Sequence, residues 1–302
     1  MTESAERPAG VAAFIGLGQM GLPMALRLFS AGFELRGCDR SQQARAAFAE
    51  HGGTVSGTPR EAAAGAAFVI TMLPDGSAVR DVLLGEEGAA SVLARHALVI
   101  DMSSSAPLST RAHGAELAER GLELIDAPVS GGVRRAADGS LAIMAGGETA
   151  AIERARPLLE TMGKSVFLTG PLGSGHAVKA LNNFVSAAGL AAACEALLVA
   201  EKFGIAPDVL VDVLNASTGR NNSTEVKLKP FVLSGSFASA FSMALMAKDL
   251  RTASDLAEAL GVETDGIGGA ARLWTAASAA LGPQADHTEI YRYLAARGGG
   301  DN

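Results

Sequence analysis

The chain has 302 residues, of which 48% are hydrophobic and 19% charged, and its formal net charge is −7. This composition supports a packed core and argues against a disordered protein. The acidic balance excludes a basic surface for nucleic acid. The two cysteines, Cys38 and Cys194, lie far apart and form neither a metal-binding spacing nor a disulfide framework. We interpret them as small buried residues of a reduced, cytoplasmic protein that binds no metal.

Residues 1–10 are predicted to be a flexible leader. The apolar stretch that follows, residues 11–29, is similar to the apolar region of a signal peptide. Several glycines, Pro23 and Arg27 interrupt it, and Glu3 and Glu6 precede it, so we expect neither export nor insertion into a membrane.

The first predicted unit is a strand, a glycine-rich loop, a helix and a second strand. These elements occupy Val11–Ile15, Gly16–Gly21, Leu22–Ser30 and Phe33–Cys38, and Asp39 closes the unit. In this context a GxGxxG loop lets the backbone approach a pyrophosphate at the N-terminus of the helix. The Asp39 carboxylate stands where it can accept hydrogen bonds from ribose hydroxyls. The unit therefore predicts a Rossmann domain that binds a dinucleotide.

Strands and helices continue to alternate as far as residue 170. We predict further strands at Ala67–Met72, Ala97–Asp101, Leu122–Asp126, Leu141–Ala145 and Ser165–Leu168, and helices at Ser77–Leu84, Gly88–Ala94, Pro107–Arg120 and Thr149–Thr161, with a capping box at Thr58–Glu61. Ligands of a doubly wound sheet gather at the carboxyl ends of its strands. Leu73, Pro74 and the Ser103–Ser105 loop are therefore expected beside the cofactor. N-capping of the helix that starts at Pro107 is the alternative role for these serines.

The segment from Ala127 to Gly132 is predicted to be a loop with exposed backbone amides. Ser130, Gly131 and Gly132 could hold a carboxylate through N–H groups and a hydroxyl. Proline, serine and glycine are also ordinary turn residues, so a simple turn is the alternative.

After Gly173 the sequence predicts helices only, separated by glycine, proline and asparagine. Their approximate spans are 173–203, 207–216, 224–234, 242–260, 264–281 and 288–298, with a capping signal at Asp286–Glu289 and a frayed tail. The predicted fold class is α/β: an N-terminal Rossmann domain at residues 11–170 and an all-α substrate and oligomerisation domain at residues 171–302, joined by a long helix.

The long helix at 173–203 carries Lys179 and Asn183, which are four residues apart and project from one face. Lys179 is surrounded by apolar residues, so it is either an extended surface lysine or a base whose charge is disfavoured by burial. The run Ser186–Ala200 is apolar around most of its circumference and needs burial on several sides. We therefore expect a homodimer or homotetramer.

With these residues together, the chain resembles the β-hydroxyacid dehydrogenase family, in the group of 3-hydroxyisobutyrate dehydrogenase and tartronate semialdehyde reductase. The resemblance rests on six segments in one order: FIGLGQMGLPMA, TMLP, DMSSSAP, DAPVSGG, GSGHAVKALNN and LMAKDL. It spans nearly the whole chain and implies reversible, NAD-dependent oxidation of a small hydroxy acid at its β-carbon.

The resemblance also implies a role for each site residue. Ser130, Gly131 and Gly132 would hold the substrate carboxylate, Lys179 would be the general acid and base, and Asn183 would orient the substrate. Gly16, Leu17, Gly18, Gln19, Met20 and Gly21 would cradle the cofactor, with Asp39 on its ribose and Leu73, Pro74, Ser104 and Lys248 lining its site. From the residues alone, Lys248 would be interpreted as a surface lysine.

Two features of the sequence leave the cofactor and the substrate open within this family. Arg40 follows Asp39 and can accommodate a 2′-phosphate, so NADP stays possible beside NAD. The polar segment Thr218–Ser223 is not specialised for a methyl group, so glycerate, tartronate semialdehyde or threonate are open as substrates beside 3-hydroxyisobutyrate.

Other functions are alternatives to this dehydrogenase. An NADP-dependent imine reductase shares the architecture but generally has another residue in place of the lysine. A non-catalytic protein that senses dinucleotides would not need Lys179 and Asn183. Another dehydrogenase design uses a Tyr-x-x-x-Lys pair. This pair is absent, because the residues four positions after Tyr291 and Tyr293 are Ala295 and Arg297.

Overall fold

The computed structural model describes residues 10–298. The predicted flexible leader and frayed tail lie outside the described residues, apart from Gly10 and Gly298. The chain divides into two compact units, one ending at Lys179 and one beginning at Ala180. The predicted domain boundary between residues 170 and 171 stays a prediction.

The first unit is built on a sheet that has nine strands among the described residues. They are β1 (Val11–Ile15), β2 (Leu35–Cys38), β3 (Thr54–Ser56), β4 (Ala66–Thr71), β5 (Leu98–Asp101), β6 (Glu123–Asp126), β7 (Val129–Ser130), β8 (Leu141–Gly146) and β9 (Gly163–Gly170). The first six are parallel in the order β3-β2-β1-β4-β5-β6. This is the strand order of a Rossmann domain, so the predicted fold class is confirmed. β8 is antiparallel to β6 and β7 and parallel to β9.

Helices connect these strands. They are α1 (Gly21–Ser30), α2 (Gln42–Ala49), α3 (Pro59–Ala63), α4 (Gly76–Leu84), α5 (Pro107–Ala118), α6 (Gly132–Asp138) and α7 (Thr149–Met162). Thr58 and Glu61 form the predicted capping box. The sequence analysis missed α2, β3, α6 and β7, and the helix predicted at Gly88–Ala94 is only a short 3-10 turn at Ala89–Ser91. These elements are short, with little room for a periodic pattern.

The central strands of the first unit are buried on both faces. In β1, β4 and β5 alternate residues belong to different apolar layers: Phe14, Ile70 and Ile100 pack in one layer. Ile15 and Val69 pack in the other. This explains why the parallel strands read as continuous apolar runs instead of alternating ones.

The second unit is helical. Its helices are α8 (Ser174–Phe203), which begins before the division, α9 (Pro207–Ala216), α10 (Asn222–Val226), α11 (Met243–Ala259), α12 (Asp265–Leu281) and α13 (Ile290–Gly298). The helix predicted at 224–234 is divided into α10 and a π-helix at Leu228–Leu233. Pro230 lies inside the second piece and lacks an N–H group for a regular helical ladder. The predicted capping signal at Asp286 is a capping box with Glu289, in front of a 3-10 turn at His287–Glu289.

α8 is long and apolar enough to cross a membrane by length and composition alone. Within its most apolar window, 44% of the residues are buried inside the protein. Leu190, Cys194 and Leu197 pack with Trp274 in the core of the second unit. A core helix passes the same compositional test, and these contacts show α8 in that role.

Candidate active site

The glycine loop between β1 and α1 is shaped by close backbone contacts. Gly16 has a φ of +102°, and a Cβ there would lie 2.3 Å from the carbonyl oxygen of Met72. A Cβ on Gly21 would lie 1.8 Å from the carbonyl oxygen of Gly16. At Gly18, by contrast, a Cβ would meet no atom within 4 Å, so the loop is open on that side. A tight turn that leaves an open approach to the start of a helix fits a dinucleotide pyrophosphate.

Asp39 directly follows β2 and is hydrogen-bonded to this loop. Its Oδ2 accepts a hydrogen bond from the Leu17 N–H at 2.7 Å, and its Oδ1 accepts one from the Ser41 N–H at 2.7 Å. Each carboxylate oxygen keeps further lone pairs that ribose hydroxyls could use. Arg40 is exposed. The residues present therefore fit an NAD molecule, with Asp39 fixing the loop that holds it.

The serine loop after β5 is organised by a buried carboxylate. Asp101 accepts hydrogen bonds from the hydroxyls of Thr71 and Ser105, both at 2.9 Å. The Ser103 hydroxyl accepts one from the Leu73 N–H at 2.9 Å, which joins the loops after β4 and β5. The proposed N-capping of α5 by these serines is wrong, because Ala106 is the N-cap and has no side-chain hydrogen bond. The hydroxyls of Ser103 and Ser105 instead form hydrogen bonds with buried polar groups.

The Ser130–Gly132 segment lies where β7 meets α6. Val129 and Ser130 pair with β8, so the first part of the predicted loop is a short strand. Gly131 and Gly132 have φ values of +141° and +71°. Among the backbone hydrogen bonds between residues 10 and 298 outside regular elements, none uses the N–H of either glycine. Both glycines are exposed.

Lys179 and Asn183 lie on α8, four residues apart as the sequence predicts. Lys179 is partly buried. In the second unit, Asn183 is buried and its Nδ2 donates to Asp249 Oδ2 at 2.6 Å. Lys248 Nζ lies 3.5 Å from the other oxygen of Asp249. Asn183 and Lys248 are therefore attached to the same carboxylate.

The sequence analysis missed three buried residues, namely Asp101, Asp126 and His176. Asp126 ends β6, and its carboxylate accepts hydrogen bonds from the N–H groups of Gly173 and His176, each at 2.7 Å. Burial raises the pKa of the Asp126 carboxyl, while His176 and both N–H groups act in the opposite direction. A sequence signal could have identified the two aspartates, because each is the last residue of a predicted strand, in the segments LVID and ELID.

Within residues 10–298, no three His, Cys, Asp or Glu side chains are grouped so that they could hold a metal ion. In the first unit, the groups that can act chemically are the Lys179 amine, the serine hydroxyls and the backbone N–H groups of the glycine-rich loops.

Two family models match the chain in succession. Residues 11–170 match the NAD binding domain of 6-phosphogluconate dehydrogenase. Residues 173–294 match the NAD-binding domain of NADP-dependent 3-hydroxyisobutyrate dehydrogenase. Among similar proteins, the 3-sulfolactaldehyde reductase of Escherichia coli K12 is 40% identical over 250 residues, which is 83% of this chain and 84% of the relative. The chain belongs to the β-hydroxyacid dehydrogenase family.

Two more members are similar to this β-hydroxyacid dehydrogenase. The NAD-dependent L-serine dehydrogenase of Pseudomonas aeruginosa is 38% identical over 258 residues, covering 83% of this chain and 87% of the relative. The structure of Mycobacterium tuberculosis 3-hydroxyisobutyrate dehydrogenase with L-serine has a TM-score of 0.88 and 35% identity, covering 94% of this chain and 99% of that one. The protein is therefore an NAD(P)-dependent oxidoreductase that acts on the CH–OH group of hydroxy acids.

Proposed function

We propose that this dehydrogenase reversibly oxidises the β-hydroxyl carbon of a small hydroxy acid of the 3-hydroxyisobutyrate, glycerate or threonate class. The observation that carries the proposal is the exposed glycine pair Gly131 and Gly132, whose N–H groups make none of the described backbone hydrogen bonds outside regular elements. The pair belongs to the same unit as the glycine loop and Lys179. Preorganised N–H groups and the Ser130 hydroxyl are suited to a substrate carboxylate. A carboxylate held there fixes which carbon of the acid reacts.

Lys179 is the proposed general base. In oxidation, the C–H bond at the β-carbon breaks and both of its electrons leave as hydride. A dinucleotide held by the glycine loop and Asp39 would supply the hydride acceptor. The hydroxyl proton passes to Lys179 Nζ, and the carbon–oxygen double bond forms. In reduction the same ammonium returns the proton. A lysine acts as a base only when its amine is deprotonated.

Asn183 is proposed to orient the substrate hydroxyl. Its amide nitrogen donates to Asp249, so the plane of the amide is fixed before any substrate binds. Fixed polar groups lose little entropy when they bind a ligand. The remaining proposed roles concern the cofactor, and they fall to Gly16, Leu17, Gly18, Gln19, Met20, Gly21, Asp39, Leu73, Pro74, Ser104 and Lys248.

The function is tested by reduction of NAD with a panel containing 3-hydroxyisobutyrate, L-glycerate, D-glycerate, L-serine and threonate. We expect turnover with at least one acid and a loss of kcat/KM of roughly 5- to 150-fold with its amide. This range corresponds to about 1–3 kcal/mol for N–H groups left without a partner. Equal turnover of acid and amide would contradict anchoring at Ser130–Gly132, and NADH binding without any turnover would favour a sensor.

NAD is proposed to be preferred over NADP. The negative charge of Asp39 stands at the ribose position and repels a 2′-phosphate. We expect kcat/KM to be higher with NAD, and Asp39→Asn to narrow the difference. Arg40→Ala is the matched variant, which should lower NADP turnover and leave NAD turnover unchanged. A clear NADP preference of the wild-type enzyme would show that Arg40 outweighs Asp39.

We infer a homo-oligomer in which α8 packs against α8 of a second copy. An apolar stripe runs along its exposed side, with Val185 67%, Val199 70% and Phe203 83% exposed. The stripe is symmetric about Ala192. Val185 and Val199 lie at equal sequence distances on either side of Ala192, and so do Leu181 and Phe203. A two-fold antiparallel pair would therefore match each large residue with another large residue, as an isologous interface requires.

Light scattering at micromolar concentration tests this interface. We expect a dimer or tetramer in the wild type and a smaller species for Val199→Glu. Leu260→Glu is the control, since Leu260 is 63% exposed and lies outside the stripe. A wild-type monomer, or equal effects of both substitutions, would contradict the proposal.

We also propose a cytoplasmic location. Cys38 and Cys194 are both buried free thiols. Burial raises the pKa of Cys38 to about 11 and that of Cys194 to about 12. Thiols of this kind suit a reduced compartment. Recovery of the protein from an exported fraction of its source cells would contradict the location.

A further inference from the structure

His176 lies three residues before Lys179 in the first part of α8, and its side chain is 0% exposed. Its Nε2 lies 3.1 Å from the carbonyl oxygen of Ser103, in the loop that follows β5. Its Nδ1 lies 2.8 Å from the hydroxyl of Thr110 on α5. A carbonyl oxygen can only accept a hydrogen bond, so Nε2 carries the proton and donates the hydrogen bond to the Ser103 carbonyl. His176 thus attaches the start of α8 to a cofactor-lining loop.

Asp126 provides a second attachment for the same turn. Its carboxylate accepts from the N–H groups of Gly173 and His176. At Gly175, a Cβ would lie 2.2 Å from the carbonyl oxygen of Met144 and 2.9 Å from Asp126 Oδ2. The backbone of α8 therefore approaches the ends of β6 and β8 as closely as glycine permits.

These contacts connect three segments with proposed roles. Residue 127, directly after Asp126, begins the segment that leads to the substrate loop. Ser103 precedes Ser104, and its hydroxyl also holds the Leu73 N–H. One helical turn after His176 comes Lys179. The buried imidazole of His176 thus connects the turn before the proposed base to the loop that follows β5.

We propose that His176 is a positioning residue for Lys179, and that its hydrogen bond to the Ser103 carbonyl fixes the first turn of α8 against the loop after β5. Asp126 fixes the same turn against β6. The proposal rests on the proposed role of Lys179 as general base. Neither His176 nor Asp126 is proposed to touch the substrate.

The experiment uses the full-length enzyme and the best acid of the panel, with and without deuterium on the carbon that loses hydride. For His176→Ala we expect kcat to fall roughly 10- to 100-fold, since a misplacement of about 1 Å can cost that much. The isotope effect on kcat should rise, because hydride transfer becomes rate-limiting. NADH affinity and the number of active sites, titrated with NADH, should stay close to wild type.

Two conservative variants guard against a merely unfolded protein. His176→Gln can place an amide nitrogen near the Nε2 position, toward Ser103, and should recover most of kcat and the wild-type isotope effect. His176→Asn reaches only the Nδ1 position, toward Thr110, and should not. Asp126→Asn should behave like His176→Ala, since one N–H of α8 would face an amide N–H₂ instead of an oxygen.

His287→Gln is the matched control, because His287 is 3% exposed but belongs to the second unit and has no proposed role at the site. It should lower the melting temperature and leave the isotope effect unchanged. The positioning role is overturned if His176→Ala lowers kcat only in proportion to titrated sites with an unchanged isotope effect, or if Asn restores as much as Gln. Loss of turnover in Lys179→Ala judges the proposed base separately, so the two failures are distinguishable.

Discussion

His176 and His287 are buried to similar extents, at 1% and 3% exposure, and each lies beside an aspartate. Asp126 beside His176 accepts hydrogen bonds from backbone N–H groups far away in sequence. Asp286 beside His287 accepts from the neighbouring Thr288 backbone and from the Ser239 hydroxyl, and it begins a helical turn as its N-cap. The first pair joins separate segments of the sheet region through backbone donors. The second pair begins a local helical turn and also accepts from Ser239, 47 residues away in sequence.

The two carboxyl groups also differ in the direction of their pKa shifts. Burial raises the pKa of Asp126. Burial acts on Asp286 in the same sense, but hydrogen bonds from His287, Thr288 and Ser239 outweigh it and lower the pKa of Asp286 well below its usual range. A carboxylate with several hydroxyl, imidazole and backbone donors stays charged despite burial, whereas Asp126, with two backbone donors, bears more of the desolvation cost.

The largest expected effect concerns Lys179. This residue belongs to the first unit, in which buried polar groups connect segments that have proposed functional roles. Lys179→Ala should lower kcat by about 10²- to 10⁴-fold, the usual loss on removing a general base. Lys179→Arg should be nearly as damaging, since guanidinium stays protonated. The measurements are steady-state kinetics across pH and NADH binding. The rising limb of wild-type oxidation with pH should vanish, while NADH binding persists.

Asn183→Ala is the companion variant for this prediction. Its role is orientation, so it should raise KM as well as lower kcat. If Lys179→Ala kept a tenth or more of wild-type kcat, Lys179 would be an ordinary helix lysine. The proposal that it is the general base would then be wrong.

A smaller effect is expected at Asp286, and it concerns stability and not turnover. Asp286→Asn should cost about 1–3 kcal/mol of unfolding free energy at pH 7, because asparagine can still cap the turn but lacks the charge that strengthens these hydrogen bonds. The folded-state pKa lies below the unfolded value of about 3.9, so the carboxylate contributes stability above that pH and loses it as the pH falls further. Denaturant unfolding at pH 7 and pH 3 should therefore show a difference between variant and wild type that shrinks in acid.

The matched substitution for this test is Thr288→Val. It removes one hydroxyl donor to Asp286 and leaves the charge. It should lower the acid sensitivity of the stability slightly, because the folded-state pKa of Asp286 moves back toward the unfolded value. A difference between Asp286→Asn and wild type that stayed constant down to pH 3 would contradict the account of the cap.

The smallest effect is expected at Lys227, a partly buried amine of the second unit whose Nζ donates to the Ser186 hydroxyl at 3.1 Å. Burial lowers the pKa of Lys227, opposed by Asp286. With a folded pKa below the unfolded one, the desolvation cost is present at low pH and disappears as the pH rises toward the ordinary value. Lys227→Met should thus be slightly stabilising at pH 7, by about 0–1 kcal/mol.

Unfolding measured at pH 7 and pH 10 checks this prediction, because the gain from Lys227→Met should shrink as the amine deprotonates. Lys229→Met is the control. The Asp212 hydrogen bond raises the pKa of Lys229, which is exposed, so its substitution should show no such trend. Equal trends for both lysines would remove the distinction between buried and exposed amines.

The sequence by itself determined the dinucleotide-binding unit and the helical second half. In β1, the glycine loop, α1 and β2, the apolar period, the glycine spacing and the closing acid lie within about thirty consecutive residues, and each is a local signal. The same holds for α9, where Pro207 begins the helix as the sequence predicts. The pair Lys179 and Asn183 on one face of α8 follows from helical spacing alone.

The tertiary structure decided the rest of the candidate site. β7 consists of only two residues and is a strand only because β8 pairs with it. The serines after β5 lose their capping role because a buried Asp101 takes up their polar groups. Asp126 and His176 form a hydrogen bond although they are fifty residues apart in sequence. No periodic pattern links such residues, since only packing of the sheet against the start of α8 brings a buried carboxylate to the N–H groups that it must satisfy.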